Sequence, residues 1–207
     1  MAIAAIWAIR IFDGSSISRT AWFVAPGIWV AAALIPTAVK RSKFAKIGFT
    51  TEQIRLALLL VFWTCVVVFP AGFCGLWLLT SYGLELPLRA VPLQNQEWVF
   101  WLFYQFMYVA VAEEVFFRGY LQGNILRLTN MVMAEQSRLT RWISIVISAA
   151  VFAVAHVIVQ GQTISVLTFL PGLVLGWLFS RTGSLLAPIL FHGLANACYL
   201  VMAAVFM

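Results

Sequence analysis

The chain has 207 residues, of which 63% are hydrophobic and 10% are charged, and its mean hydropathy is +0.98. This composition excludes an ordinary soluble globular domain, in which about a quarter of the residues are charged. The formal net charge is +6, but the basic residues lie between apolar segments, which indicates orientation in a membrane and argues against a nucleic-acid partner. We therefore predict an integral, multi-pass membrane protein.

The predicted elements begin with MAIAAIWAIRIF, an apolar stretch that is too short to span a bilayer and that has no basic residue before it. We predict a short interfacial helix there. A spanning helix needs about 20 mostly apolar residues, and six further segments are candidates: 21–38, 56–79, 98–117 or beyond, 142–159, 164–180 and 184–206. The predicted fold class is all-α, a polytopic bundle of about six transmembrane helices.

The connections between the predicted spans alternate in basic content. The first, third and fifth connections carry most of the lysine and arginine residues. By the positive-inside rule these three connections should be cytoplasmic, with both termini outside. The cysteines, Cys65, Cys74 and Cys198, fall within predicted spans and have no CxxC spacing, so we interpret them as buried apolar thiols.

Strongly polar residues are few in the last four predicted spans, and they are spaced by four residues. The spaced positions are Glu114 with Arg118, Phe152 with His156, and His192 with Asn196. Residues at i and i+4 share one face of a helix. Since polar groups inside a bilayer must meet one another, a cavity or a substrate, three helices are predicted to direct a polar face inward.

The two adjacent glutamates differ in their predicted surroundings. Arg118 lies one helical turn after Glu114 and can neutralise it, so this pair is interpreted as a structural ion pair. Glu113 lies about 140° around an α-helix from that arginine. It is left without a counter-charge, which makes it the leading candidate for a general base. A lone histidine in a span is equally well explained as an interhelical hydrogen-bonding residue. Only the occurrence of both histidines and both glutamates within the spans favours a catalytic site.

The segments EEVFFRGYLQ, FAVAH and HGLAN occur in this order in the chain. They resemble the motifs EExxxR, FxxxH and HxxxN of the CPBP family, which contains type II CAAX proteases and bacteriocin-processing and immunity proteins. The segment PGLVLGWLFSRTGSLLAPILFH resembles the stretch that joins the second and third motifs in that family. The resemblance runs from about Gln105 to Ala203. It suggests one membrane domain, 1–207, with variable N-terminal helices at 1–97 and a four-helix catalytic core at 98–207.

This resemblance implies an intramembrane glutamic protease that uses no cofactor and no metal ion. The implied roles are water activation by Glu113 and His156, oxyanion stabilisation by His192 and Asn196, and support by Glu114 and Arg118. The implied partner is a membrane-anchored protein or peptide substrate in the lipid bilayer, and a bacterial inner membrane is the expected location.

Other functions remain open from the residues alone. One carboxylate and two histidines could hold zinc, as they do in zinc hydrolases. A non-enzymatic protein of the bacteriocin-immunity type could keep the polar faces for packing. A transporter is disfavoured because matching halves with broken spans are missing. The only aspartate is Asp13, so one chain cannot form an intramembrane aspartyl dyad, and HExxH and GxSxG motifs are also missing.

Helix lengths reveal a conflict in the predicted boundaries. Counted from the predicted span ends at about 1.5 Å per residue, Glu113 and His156 would differ in depth by more than about 10 Å. We therefore expect the third helix to continue through RGYLQGNILRL, so that Glu113 lies nearer to the middle of the membrane. A fourth span that begins outside the hydrocarbon is the alternative.

Overall fold

The structure is a computed structural model that describes residues 21–39, 48, 50, 52–83, 97–133 and 137–206. These residues form helices and no strand. The helices are α1, Ala21–Val39; α2, Ile54–Ser81; α3, which begins at Glu97 and ends at Met133; α4, Arg138–Gln160; α5, Phe169–Thr182, preceded by a 3₁₀ turn, Thr163–Thr168; and α6, Leu186–Phe206.

The predicted all-α membrane bundle is confirmed for the part of the chain that the structure describes. Five helices are long and apolar enough to cross a membrane, namely Ile54–Ser81, Trp98–Met133, Arg138–Gln160, Thr163–Thr182 and Leu186–Phe206. In α1 the described apolar stretch is Gly27–Thr37, which is shorter. The predicted N-terminal interfacial helix lies outside the described residues.

Helix α3 is continuous but changes pitch along its length. Its segments are Glu97–Tyr104, π-helical Gln105–Ala110, α-helical Val111–Glu114, π-helical Val115–Gln122, and Gly123–Met133. The helix therefore extends beyond residue 117, as the depth argument required. π-Helical turns are rare and are found frequently at functional sites. Here the two glutamates lie on the α-helical turn between two such segments.

Two glycines on α5 bring its backbone close to α3 and α4. A Cβ added to Gly176 would lie 3.0 Å from Ile145 Cγ2 and 3.0 Å from Gln122 Oε1, and one added to Gly172 would lie 3.2 Å from Ala149 Cβ. Small residues at this four-residue spacing allow such close packing between membrane helices. The packing places the carbonyl groups of α5 within reach of polar side chains on α3.

Those carbonyl groups accept hydrogen bonds from α3. Arg118 donates from Nη2 to the carbonyl oxygen of Gly172 at 3.3 Å, and Gln122 donates from Nε2 to that of Gly176 at 3.0 Å. Helix α4 is tied to the same region, because Ser148 donates from Oγ to the carbonyl oxygen of Phe117 at 2.8 Å. Helices α3, α4 and α5 are thus joined by polar contacts within an apolar bundle.

The two N-terminal helices pack on different parts of this bundle. Trp29 of α1 belongs to an apolar cluster with Phe116, Phe117 and Phe152 of α3 and α4. Helix α2 packs against α5 and α6 through a second cluster, whose buried members are Ala57, Val61, Leu175, Leu178, Ala187 and Phe191. Of these two N-terminal helices, α1 is therefore the one that packs against the part of α3 that carries the paired glutamates.

Part of the first connection lies beside the fifth. Leu185 donates its backbone N–H to the carbonyl oxygen of Gly48 at 3.0 Å, and Ser184 donates from Oγ to the carbonyl oxygen of Thr50 at 3.0 Å. Both connections therefore lie at one end of the bundle. Which end faces the cytoplasm stays a prediction from charge.

We expect Gly176→Ala to destabilise the bundle by about 1–3 kcal/mol, because the new methyl group would overpack against Ile145 and Gln122. Thermal unfolding of the purified protein in detergent measures this loss. Gly75→Ala on α2 is the matched control, since nothing lies within 4 Å of a Cβ there, and alanine is the better helix former. Equal stability of the two variants would show that close packing at Gly176 is unimportant.

Candidate functional site

Glu114 and Arg118 form a fully buried ion pair. Arg118 Nη1 lies 2.8 Å from Glu114 Oε1, and both side chains are 0% exposed. The guanidinium also lies over the ring of Phe152, with Cζ 4.4 Å from the ring centroid, and Nη2 bonds the carbonyl oxygen of Gly172. A buried ion pair needs such additional contacts to offset the loss of hydration. The structural ion pair that the spacing predicted is present.

Glu114 also orients His192. The carboxylate oxygen that meets Arg118 lies 2.7 Å from His192 Nδ1. A carboxylate oxygen in an ion pair only accepts, so Nδ1 carries the proton, and Nε2 is the nitrogen that faces Glu113. This is the relation between carboxylate and imidazole that holds the catalytic histidine in place in hydrolase triads. The spacing of the sequence did not reveal this contact, because 78 positions separate the two residues.

His156 is oriented by its own helix. Its Nδ1 lies 3.0 Å from the carbonyl oxygen of Phe152, one turn earlier on α4. Since a carbonyl oxygen only accepts, Nδ1 donates here as well, and Nε2 carries the lone pair when the ring is neutral. The Phe152 ring lies against the imidazole, with centroids 4.3 Å apart. The predicted spacing of Phe152 and His156 thus corresponds to a backbone bond and a ring contact.

Glu113 lies between the two imidazoles. Its Oε2 is 3.8 Å from His156 Nε2 and 3.9 Å from His192 Nε2. These distances exceed a direct hydrogen bond, and Oε2 is buried without a hydrogen-bond partner in the protein. They are short enough for one bridging oxygen atom to reach all three groups. The tertiary structure therefore brings together one carboxylate and two imidazoles from α3, α4 and α6.

Asn196 lies one turn after His192 on α6, and its contact is with α3. It donates from Nδ2 to Gln105 Oε1 at 2.8 Å. An amide nitrogen carries two hydrogens, and this bond occupies one of them. Five of the six predicted residues thus form one cluster through the contacts above, while the hydrogen bond of Asn196 goes to Gln105.

Several supporting residues were missed from the sequence. Gln105 and Ser148 gave no signal, because isolated polar residues in a span usually serve packing. Gly172 and Gly176 form a GxxxG pattern, which is a visible sign of helix contact. Gly193 follows His192 directly, and a Cβ there would overlap the ring of Phe106. Close approach of α3 and α6 therefore requires glycine beside the histidine.

A cavity of about 110 Å³ adjoins the cluster. Its lining residues are Trp29, Glu113, Phe117, Ala155, His156, Val159 and Gln160. Most of the wall is apolar, and the carboxylate and one imidazole face it. The cavity is a place where a substrate group can lie next to the polar cluster.

The cluster lies close to one end of α4. Gln160, the last residue of α4, is about 6 Å beyond His156, whereas α3 begins about 24 Å from Glu113 and α6 ends about 21 Å from His192 on that side. Because the three side chains meet, the turn between α4 and α5 lies about 15 Å short of these other helix ends. Non-helical backbone at membrane depth is tolerated where it is covered by protein or lines a water-filled cavity, so this turn must meet one of these two conditions.

A zinc site would need three ligand side chains that face one point. Among the residues with described positions, no group of three or more histidine, cysteine, aspartate or glutamate side chains is arranged to hold a metal ion. The contacts of Glu114 with Arg118 and His192 occupy its Oε1, which leaves Glu113 as the carboxylate nearest to both Nε2 atoms.

The fold and the cluster define a class of protein: a polytopic helical membrane protein with a buried site built from carboxylates, imidazoles and a guanidinium. The chain belongs to the Rce1-like family of type II CAAX prenyl endopeptidases, whose model matches residues 95–198. That segment contains all six predicted site residues, and the membership predicted from the three motifs is confirmed. Family membership supports a CAAX-type intramembrane protease. No curated protein and no solved structure matches the chain.

We expect Arg118→Met to destabilise the protein by about 3–5 kcal/mol, because it leaves the Glu114 carboxylate buried without its cation. Unfolding of the purified protein in detergent measures the loss. Arg127→Met is the matched control: Arg127 is an exposed arginine on the same helix, and its removal should change stability by less than about 0.5 kcal/mol. Adding Glu114→Gln to Arg118→Met should recover part of the loss, and no recovery would argue against an uncompensated charge.

Proposed function

We propose that this protein is a metal-independent intramembrane endopeptidase, in which Glu113 and His156 activate a water molecule that hydrolyses a peptide bond. The substrate is a membrane-anchored protein or peptide, cut near or within the bilayer, and the bacterial inner membrane is the proposed location. The observation that carries the proposal is the position of Glu113 Oε2, which is 3.8 Å and 3.9 Å from the Nε2 atoms of two histidines and has no hydrogen bond of its own.

The proton positions support water activation. His156 donates from Nδ1 to the carbonyl oxygen of Phe152, so its Nε2 accepts, and an ionised Glu113 also accepts. A water molecule that donates one hydrogen to each of these acceptors presents its own lone pair for attack. A carboxylate is a workable general base for water when it lies within hydrogen-bond reach of it.

The reaction that follows is ordinary amide hydrolysis. The water oxygen forms a bond to the substrate carbonyl carbon while its proton passes to Glu113 or His156. The tetrahedral intermediate then collapses, the bond between carbon and nitrogen breaks, and the stored proton is given to the leaving amine. General acid–base catalysis of this kind contributes about 10²- to 10⁴-fold in rate.

The oxyanion would be stabilised by His192 and Asn196. His192 donates from Nδ1 to Glu114, so a second donor at Nε2 requires the doubly protonated imidazolium. Asn196 retains one N–H for the same oxygen, because its other N–H is held by Gln105. Fixed donors in a water-poor site stabilise an oxyanion strongly.

We expect Glu113→Gln to lower the rate of substrate cleavage by about 10²- to 10⁴-fold, because glutamine keeps the shape of the side chain but cannot accept the proton. The membrane-anchored proteomes of cells with wild-type protein and with the variant should differ by accumulated, uncleaved substrates. Mass spectrometry of both proteomes measures this difference and identifies the substrates.

Glu52→Gln is the matched control, because Glu52 is an exposed glutamate in the turn before α2, and it should leave cleavage unchanged. Thermal unfolding should show that Glu113→Gln remains folded. If the cellular role of the protein survives in folded Glu113→Gln, the enzyme proposal is wrong. A non-enzymatic membrane protein of the bacteriocin-immunity type is then the better interpretation.

A zinc-dependent protease is the second candidate by ligand type alone, because Glu113, His156 and His192 all carry zinc-ligand atoms, although their arrangement among the described residues forms no metal site. We expect cleavage by the purified protein to persist in a strong chelator, since the proposed water is activated by side chains alone. Activity that disappears with the chelator and returns with added zinc would contradict the proposed mechanism while leaving the protease activity in place.

A further inference from the structure

One wall of the cavity beside Glu113 and His156 is formed by a residue from outside the family match. Of its lining residues, Trp29 alone lies outside the matched segment 95–198. Trp29 belongs to α1, the helix that packs against the glutamate-bearing part of α3. The segment that matches the family model therefore contributes the polar groups of the cavity, while the N-terminal part of this chain contributes one of its walls.

Trp29 is a rigid wall. Its side chain is only 5% exposed, and its ring centroid lies 4.7 Å from that of Phe116 and 5.0 Å from that of Phe117. Both phenylalanines are fully buried. Interlocked aromatic rings of this kind have few alternative rotamers in a close-packed interior. The wall cannot yield easily to a larger ligand.

The size of the cavity limits what can occupy it. Its volume is about 110 Å³, whereas an apolar cavity that takes up benzene measures about 150 Å³. A cavity of this smaller size favours an aliphatic side chain over an aromatic ring. Phe117, Ala155 and Val159 complete an apolar surface for such a side chain, and Glu113 and His156 at its edge place the scissile bond next to it.

We propose that Trp29 determines substrate specificity: it sets the upper size limit for the side chain that binds beside the scissile bond and so admits aliphatic side chains and rejects aromatic ones. Substrate selection is then shared between the matched core and α1. This inference rests on the proposed protease function, because it assumes that the cavity holds part of a substrate during cleavage.

The test uses the full-length protein in detergent and two sets of peptides. One set is S-farnesylated on cysteine and varies the next residue among Ala, Val, Leu, Phe and Trp; the other carries a transmembrane anchor and a randomised segment beside it. The variants are Trp29→Leu, Trp29→Phe and Val159→Phe, with Trp63→Ala as the matched control. Trp63 also lies outside the family match, but it is 61% exposed on α2. Cleavage products are identified by mass spectrometry, and kcat/KM is measured for each peptide.

We expect Trp29→Leu to raise the ratio of kcat/KM for phenylalanine over leucine peptides by about tenfold or more. The rise should be smaller for Trp29→Phe. One extra or missing methylene group in an apolar pocket already alters discrimination between substrates by about 10- to 200-fold. Val159→Phe should fill the cavity and lower the ratio for leucine over alanine peptides by a similar factor. Trp63→Ala should keep the wild-type ratios. Because Val159→Phe keeps Trp29 in place, it tests the cavity even if the Trp29 variants do not fold.

The outcomes separate this inference from the proposed function. If the wild-type protein cleaves and Glu113→Gln does not, but the size preference is the same in all folded Trp29 and Val159 variants, the role of Trp29 is refuted and the protease proposal stands. If the wild-type protein cleaves no peptide of either set, or cleaves as well as Glu113→Gln does, both proposals fail together.

Discussion

Arg118 meets Glu114 Oε1 at 2.8 Å with both side chains fully buried, and the same oxygen lies 2.7 Å from His192 Nδ1. A carboxylate in such a place is tolerated only with its cation beside it. The pair therefore does two things at once: it makes burial of α3 possible, and it fixes the tautomer and direction of an imidazole on α6. Glu113, its neighbour in sequence, is thereby left free to face His156 and His192.

The apolar packing makes these polar contacts possible. Gly172 and Gly176 allow α5 to approach α3 so closely that Arg118 and Gln122 reach its carbonyl oxygens. Gly193 does the same between α6 and α3, where a side chain would overlap Phe106. In lipid there is little hydrophobic force between helices, so close van der Waals contact and hydrogen bonds hold the bundle together. The precision of the site follows from the small residues that surround it.

The division of the chain into a matched core and an N-terminal part also has a physical meaning. Helices α3 to α6 carry all the groups proposed for chemistry, whereas α1 contributes an aromatic wall and α2 packs on the far side of α5 and α6. The chemistry needs a few atoms at fixed distances. In our proposal the choice of substrate depends on the volume beside them, which a single residue on a separate helix can change without moving the reacting groups.

The sequence by itself determined the all-α membrane fold and the family, and it predicted the six residues of the candidate site, because apolar runs of about 20 residues and i, i+4 polar pairs are local patterns. It also indicated that Glu114 and Arg118 pair, since one helix holds both. The tertiary structure decided the rest. The contact of Glu114 with His192, the position of Glu113 between two imidazoles, the support of Asn196 by Gln105 and the wall at Trp29 each join residues on different helices. The π-helical segments of α3 likewise left no local signal, because their pitch depends on how neighbouring helices pack. Periodicity tells which face of a helix is polar, but only the packing of whole helices sets which polar faces meet and at what distance.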